Sequence, residues 1–149
     1  MIITRLVMDN YKQYRGEHGF EIAEDATVGV VGANGVGKTT LFEAIEWCLY
    51  NPRSIENKHI RPRGTGGEVR VLVQLTTNAG DAVYEVERIL KRSGTQATVY
   101  KVNEFGGGDP IVQGTREVTD YISTRLIGLG HAAFVATFFT RQKELSFFG

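Results

Sequence analysis

Residues 32–39 form a glycine-rich segment whose spacing suits phosphate binding. The segment reads Gly-Ala-Asn-Gly-Val-Gly-Lys-Thr and matches the pattern G-x-x-x-x-G-K-[ST] at every fixed position. Its glycines let backbone N–H groups approach a phosphate without a Cβ in the way. The pattern places Lys38 at the β- and γ-phosphates and the Thr39 hydroxyl on a Mg²⁺ ion. A nucleoside triphosphate with Mg²⁺ is therefore the ligand that this segment predicts.

Such a loop needs a buried strand before it and a helix after it, so that backbone N–H groups and the positive end of the helix converge on the phosphate. Residues 27–31 are a β-branched run broken by one glycine, which predicts a strand buried on both faces. After the loop, apolar residues recur at helical spacing, namely Leu41, Phe42, Ile45, Cys48 and Leu49. Asn51-Pro52 ends this helix. The motif and its context together disfavour a glycine-rich turn that binds nothing.

The residue pattern predicts further strands beside this unit. Residues 2–9 form an apolar strand, and residues 20–22 begin its hairpin partner after a polar turn at 15–19. Three more strands are joined by short turns, which implies an antiparallel meander. They span residues 68–76, 83–90 and 95–103.

The last third of the chain is predicted to contain a tip, a helix and an apolar terminal segment. The glycine-rich residues 105–108 predict a flexible tip. Thr115 can then cap a helix that Gly128 and Gly130 end. The inner face of this helix is predicted to consist of Val118, Tyr121, Ile122, Arg125 and Leu126. Residues 131–149 are apolar and aromatic, with a short charged run inside them.

Charge and composition exclude several classes of function. The 149 residues include 17 Lys and Arg and 17 Asp and Glu, so no overall positive field attracts nucleic acid and a pure DNA-binding module is disfavoured. The single cysteine, Cys48, cannot form an internal disulfide. No stretch has the length of a membrane span or the layout of a signal peptide. We therefore expect a cytoplasmic protein without a membrane partner.

Residues outside the fixed motif positions distinguish among the many proteins that carry a phosphate-binding loop. Asn34, Thr40 and the triplet Glu43-Ala44-Ile45 occupy positions that are free in a general loop of this type. Together with the early Asn10-Tyr11-Lys12, they make the chain resemble the amino-terminal half-head of the SbcC, SMC and RecF group of ABC ATPases. Residues 138–142, Phe-Phe-Thr-Arg-Gln, resemble the glutamine loop of the SbcC group. The resemblance spans nearly the whole chain.

The resemblance implies an α/β fold of the P-loop NTPase class, an ABC-type half-head with a mixed sheet and an antiparallel β-meander. Residues 1–149 would form the amino-terminal lobe of the head, with the Walker A motif at 32–39 and the glutamine loop near Gln142. The sequence contains no hydrophobic run ending in Asp-Glu and no Leu-Ser-Gly-Gly signature. In the family these motifs lie in a carboxy-terminal half. We therefore expect a chain that lacks the carboxy-terminal lobe and the coiled coil and that does not hydrolyse ATP alone.

The resemblance also implies roles for residues around one nucleotide site. Lys38 and Gln142 are the candidate catalytic residues, and Thr39 and Gln142 are the candidate Mg²⁺ ligands. Candidate ATP-binding residues are Lys12, Gly32, Asn34, Gly35, Val36, Gly37, Lys38, Thr39, Thr40 and Arg63. Lys12 stands where the family more often has arginine, and the alternative is a surface lysine. For Gln142 and for the loop at residues 60–64, the alternative is a solvated side chain or loop.

The function that the resemblance implies is ATP and Mg²⁺ binding, with ATP hydrolysis, in an SbcC- or SMC-like enzyme of DNA repair or DNA maintenance. ATP would be held between two heads, which hydrolysis would separate. Expected partners are the carboxy-terminal half of the head, a second head, double-stranded DNA and an SbcD-type nuclease, and the expected location is the cytoplasm or the nucleoid. An SbcC-like ATPase linked to phosphorothioation or phage defence stays open. A self-contained small kinase or GTPase is disfavoured because the sequence has no N-K-x-D element and no arginine-rich lid.

Residues 53–63 are the most basic stretch of the chain. They contain Arg53, Lys58, His59, Arg61 and Arg63 and only one acidic residue, Glu56. Such a patch can bind the phosphate backbone of DNA without any base contact. The alternative is a solvated basic loop with no ligand.

Overall fold

Seven strands form one antiparallel sheet in the described part of a computed structural model, which covers residues 2–23, 35–61, 67–77, 82–140 and 146–148. The strands are β1 (Ile2–Tyr11), β2 (Tyr14–Ala23), β3 (Val69–Thr76), β4 (Val83–Lys91), β5 (Gly94–Val102), β6 (Gly108–Gln113) and β7 (Ser146–Phe148). Across the sheet they lie in the order β6-β5-β4-β3-β1-β2-β7. Every neighbouring pair in this order is antiparallel.

Three α-helices and two shorter helical turns complete the described chain. They are α1 (Gly35–Tyr50), a 3₁₀ turn (Asn57–His59), α2 (Thr115–Tyr121), a π-helical turn that continues α2 (Ile122–Leu126), and α3 (His131–Thr140). Within the described ranges, none of these helices has the length and apolar character needed to cross a membrane.

The core lies between one face of the sheet and the helices. Alternate residues of β3 point inward, as its pattern predicts, and Val69, Val71 and Val73 are fully buried. Helix α1 is buried on almost every side after its first turns. Its buried residues are Thr40, Leu41, Phe42, Ala44, Ile45, Trp47, Cys48, Leu49 and Tyr50. Packing therefore fixes the position of α1 relative to the sheet.

The hairpin of β1 and β2 has its turn earlier than the sequence predicts. The turn consists of Lys12 and Gln13, whereas the sequence placed a polar turn at residues 15–19. Residues 15–19 belong to β2, and all of them are exposed. Their polar character reflects this exposure and not a turn, so this prediction was wrong.

The meander contains a fourth strand that the sequence did not predict. β3, β4 and β5 confirm the three predicted strands, and β6 follows them at the edge of the sheet. Residues 103–107 connect β5 to β6 in a turn in which Asn103 N donates to the Gly107 carbonyl oxygen at 2.7 Å, and Gly108, which the sequence placed in a flexible tip, is the first residue of β6. Pro110 weakens the strand signal of β6, but a proline is tolerated in an edge strand.

Helix α2 begins at a different cap from the predicted one. The capping residue is Gly114, with φ of 116°, while the Thr115 hydroxyl donates to the Thr95 carbonyl oxygen at 3.0 Å. Val118, Ile122 and Leu126 are buried as predicted, but Arg125 is exposed. The π-helical turn changes the angular spacing of side chains after Tyr121, which the 3.6-residue period cannot anticipate.

The strand predicted at residues 27–31 lies outside the described residues. It is the strand that would make the sheet mixed, so the mixed character of the sheet stays a prediction. The α/β class is evident from a single sheet with α1 and α2 packed against it.

Candidate nucleotide site

The amino-terminal end of α1 lies within the phosphate-binding motif. The helix begins at Gly35, and its first turn contains no acidic residue. The first backbone N–H groups of a helix have no partner inside the helix, and the helix dipole makes this end partially positive. This end of α1 therefore fits an anionic group such as the phosphates of ATP.

Several of the predicted site residues lie outside the described part of the chain. They are Gly32, Asn34, Arg63 and Gln142, together with the side chains of Val36, Lys38 and Thr39. Gly35 and Gly37 are described as backbone at the start of α1. The roles of these residues as phosphate, Mg²⁺ or catalytic groups stay predictions, whereas Lys12 and Thr40 can be placed.

Three consecutive residues at the β1–β2 turn contact Thr40 and Glu43 of α1. The Tyr11 hydroxyl donates a hydrogen bond to Glu43 Oε1 at 2.8 Å, and Lys12 Nζ lies 2.6 Å from the same oxygen. Gln13 Nε2 donates to Thr40 Oγ1 at 3.3 Å. Because Thr40 directly follows the phosphate-binding motif, these contacts hold the turn beside the amino-terminal end of α1.

The backbone of this turn is held from two sides. Asn10 and Lys12 have φ of 59° and 51°, a left-handed conformation that is uncommon for residues other than glycine. The Asn10 carboxamide stabilises it, because Oδ1 accepts a hydrogen bond from Gly16 N at 2.8 Å and Nδ2 donates to the Glu68 carbonyl oxygen at 3.3 Å. Lys12 N donates to the Ile60 carbonyl oxygen at 2.6 Å. The position of Lys12 is thus set by β2, by Glu68 just before β3, and by the loop after α1.

Tyr11 is a fully buried donor in this site. Burial raises the pKa of its hydroxyl far above the ordinary value, and the charge of Glu43 raises it further. The raised pKa keeps this hydroxyl protonated at neutral pH, where it donates to Glu43. Sequence reasoning predicted a role for Lys12 and missed Tyr11, Gln13 and Glu43 as its neighbours. The sequence did mark these positions, because Tyr11 and Gln13 flank Lys12 and Glu43 belongs to the triplet that carries the family resemblance.

The loop after α1 brings only part of the basic stretch to this site. Trp47 Nε1 of α1 donates to Asn57 Oδ1 at 3.2 Å, which anchors the 3₁₀ turn. Lys58 and His59 both lie near the Glu56 carboxylate, at 3.2 and 3.8 Å, so the positive charge of Lys58 is partly balanced. Arg61 Nε is buried and has no hydrogen-bond partner among the described residues.

A comparison with protein families identifies the class of this domain. The family described as AAA domain matches residues 5–145. The chain belongs to this family.

Relatives of this AAA domain include ATPases of DNA repair. The DNA double-strand break repair Rad50 ATPase of Thermoplasma volcanium is 23% identical over 146 residues, which cover 97% of this chain and 16% of that protein. The protein of the same name from Methanopyrus kandleri is 30% identical over 148 residues, again 97% of this chain and 16% of the relative. This AAA domain thus spans a small part of the length of both relatives.

A solved structure establishes the fold of this AAA domain. The SMC head domain from Thermotoga maritima superimposes with a TM-score of 0.52 at 23% sequence identity, over 80% of this chain and 41% of that one. The P-loop NTPase fold is thereby confirmed. The resemblance to the amino-terminal half-head of SbcC- and SMC-type ATPases is confirmed by the family match, the Rad50 relatives and this structure together.

This AAA domain also contains a buried arginine that the sequence did not mark. Arg88 of β4 is fully buried, and its Nε donates to the carbonyl oxygen of Cys48 in the last turn of α1 at 2.9 Å. Its Nη2 donates to Thr119 Oγ1 at 3.2 Å, while Nη1 has no partner among the described residues. Burial lowers the pKa of the guanidinium. In the sequence, Arg88 stands at an alternate, inward-facing position of β4 between Val86 and Leu90, and this position could have marked it as buried. Its hydrogen bonds join β4 to α1 and α2.

Proposed function

We propose that this chain is the ATP- and Mg²⁺-binding half of an SbcC- or SMC-like ATPase that acts in DNA repair or DNA maintenance. The observation that carries the proposal is the placement of Tyr11, Lys12 and Gln13 against α1, whose first turn lies in the phosphate-binding motif. A basic side chain is thus held against the helix that begins within the phosphate-binding motif. The Rad50 relatives, which are named as repair ATPases, support the assignment to DNA repair.

In this proposal the residues of the chain bind and orient the triphosphate. The backbone N–H groups at the start of α1 bind phosphate oxygens, and the Lys38 ammonium reaches the β- and γ-phosphates. Thr39 and Gln142 would hold Mg²⁺, which would neutralise phosphate charge. The alternative role for Gln142 is contact with the attacking water. Lys12 adds a second positive charge beside the helix end.

We further propose that hydrolysis requires a carboxy-terminal half-head and a second head, with ATP held between the two heads. The sequence supports this because it contains neither the hydrophobic run ending in Asp-Glu nor the Leu-Ser-Gly-Gly signature. Double-stranded DNA and an SbcD-type nuclease are the proposed partners of the assembly, which acts in the cytoplasm or at the nucleoid.

Calorimetry of the purified chain with ATP and MgCl₂ tests the proposal. Binding is expected, and Lys38→Ala is expected to abolish it because the ammonium that contacts the β- and γ-phosphates is lost. Lys101→Ala is the matched control, since Lys101 is exposed on β5 and should leave the affinity unchanged. No ATP turnover is expected from the chain alone. Rapid turnover that depends on Lys38 without added polypeptide, or ATP affinity that Lys38→Ala leaves intact, would contradict the proposal.

A further inference from the structure

Glu43 is the common acceptor of the two residues that the β1–β2 turn presents to α1. Its Oε1 accepts a hydrogen bond from the Tyr11 hydroxyl at 2.8 Å and lies 2.6 Å from Lys12 Nζ. The Lys12 and Glu43 side chains are only 30% and 25% exposed. The pair is therefore partly desolvated, and its attraction is screened less than that of an exposed surface pair.

The position of Glu43 along α1 separates this ion pair from the phosphate-binding end of the helix. Glu43 lies five residues beyond Lys38, which corresponds to about 7 Å along the helix axis at a rise of ~1.5 Å per residue. The phosphates are expected in front of the amino-terminal end of α1, where the first N–H groups of the helix point. An ammonium bonded to Glu43 thus lies alongside the helix and not ahead of it, and it must leave Glu43 to contact a phosphate.

The geometry of the turn confines this movement to one side chain. The Lys12 backbone is fixed by its hydrogen bond to the Ile60 carbonyl oxygen and by the Asn10 contacts on its other side. The Tyr11 hydroxyl can remain on Glu43 when Lys12 leaves. The flexible stem of lysine lets its charge move between two partners without any change in the backbone.

We propose that Glu43 competes with the phosphates of the bound nucleotide for the Lys12 ammonium and thereby sets the affinity of the site. This inference rests on the proposed function and adds a residue to it. Binding of a triphosphate breaks or weakens the Lys12–Glu43 ion pair. The binding free energy gained from the contact between Lys12 and phosphate is therefore reduced. Glu43 is a negative charge near a polyanion as well, so both effects act in the same direction.

The test replaces Glu43 by its neutral isostere. Glu43→Gln keeps an oxygen acceptor for Tyr11 and removes the charge that holds Lys12. We expect ATP–Mg²⁺ to bind about fivefold more tightly to this variant, the effect of losing one partly exposed ion pair. Glu46→Gln is the matched control, since Glu46 lies on the same helix but contacts His131. It should leave the affinity within about twofold.

A double-mutant cycle with Lys12→Met shows whether the effect acts through Lys12. In the Lys12→Met background, Glu43→Gln should tighten binding clearly less, because only the direct repulsion between Glu43 and the phosphates is then removed. Inorganic triphosphate should reproduce the tightening seen with ATP, and adenosine should show none, because the competition concerns phosphate alone. Circular dichroism of every variant establishes that the fold is retained.

Three outcomes would overturn the inference: unchanged or weaker ATP binding by Glu43→Gln, an equal tightening in the Lys12→Met background, or an equal tightening by Glu46→Gln. The second outcome would reduce the effect to general charge repulsion. Failure of the proposed function is distinguishable, because ATP binding would then be absent or insensitive to Lys38→Ala in the unaltered chain.

Discussion

Nε2 of His131 lies 2.5 Å from Oε2 of Glu46, and this contact joins the first residue of α3 to the middle of α1. One helical turn further along α1, the Tyr50 hydroxyl donates to the Leu129 carbonyl oxygen at 2.7 Å. The Tyr50 ring also packs against those of His131 and Phe134, with centroid separations of 5.5 and 5.2 Å. α3 is thus attached to the helix of the phosphate-binding motif by one polar contact and an aromatic cluster, and a second polar contact holds Leu129 just before α3.

Replacing His131 by alanine should loosen this attachment. We expect His131→Ala to lower the free energy of unfolding by about 1 kcal/mol, because a hydrogen bond to a carboxylate and an aromatic contact are lost. Urea denaturation followed by circular dichroism measures the change. His59→Ala is the matched control, since His59 is exposed and lies 3.8 Å from its carboxylate partner, Glu56. A loss for His59→Ala as large as that for His131→Ala would contradict this account.

The cap of α2 predicts a contrast between two glycines. Gly114 has φ of 116°, and an added Cβ would meet the Glu117 carboxylate. Gly114→Ala should therefore cost about 1–2 kcal/mol of stability, mainly through the backbone conformation that side chains disfavour. Gly130→Ala should cost less than about 0.5 kcal/mol, since an added Cβ there meets open space and the backbone φ is not left-handed. Thermal unfolding of both variants checks the difference, and equal melting temperatures would contradict it.

The sequence predicted those parts of the fold that depend on periodicity and on fixed motif spacing. β3 and α1 were predicted because alternation at Val69, Val71 and Val73 and helical spacing after the motif are both decided by burial. β6 was missed because its first residues, Gly-Asp-Pro, are weak strand formers, and an edge position tolerates them. The hydrogen bonds that stabilise β6 come from its neighbour β5, so the residues of β6 alone do not reveal them.

The candidate site was predictable to a similar degree. The sequence placed Lys12 near α1 through a family resemblance, but it could not show that Glu43 and Tyr11 meet Lys12 there. Tyr11 and Glu43 are 32 positions apart in the chain, and only the packing of the β1–β2 hairpin on α1 brings them together. Arg88 was missed for the same reason, because its partners Cys48 and Thr119 belong to two other elements.

The buried thiol of Cys48 predicts a loss of stability at alkaline pH. Burial raises its pKa from 9.0 to about 12 in the folded chain. Between these values the unfolded chain releases a proton that the folded chain retains, so stability falls as the pH rises, by up to about 1.4 kcal/mol per pH unit from this group. Urea denaturation at pH 8 and pH 10.5 should show a smaller loss for Cys48→Ala than for the unaltered chain. An identical loss would show that the thiol does not contribute.

Trp47 gives the chain an optical property that follows from its burial in α1. It is the only tryptophan in the sequence, it is fully buried, its Nε1 is bonded to Asn57, and its ring lies 6.1 Å from that of Tyr11. All tryptophan emission of the chain therefore originates from the helix that carries the phosphate-binding motif, at the side that faces the β1–β2 hairpin. A shift of the emission maximum reports on the surroundings of that helix alone, without an attached dye.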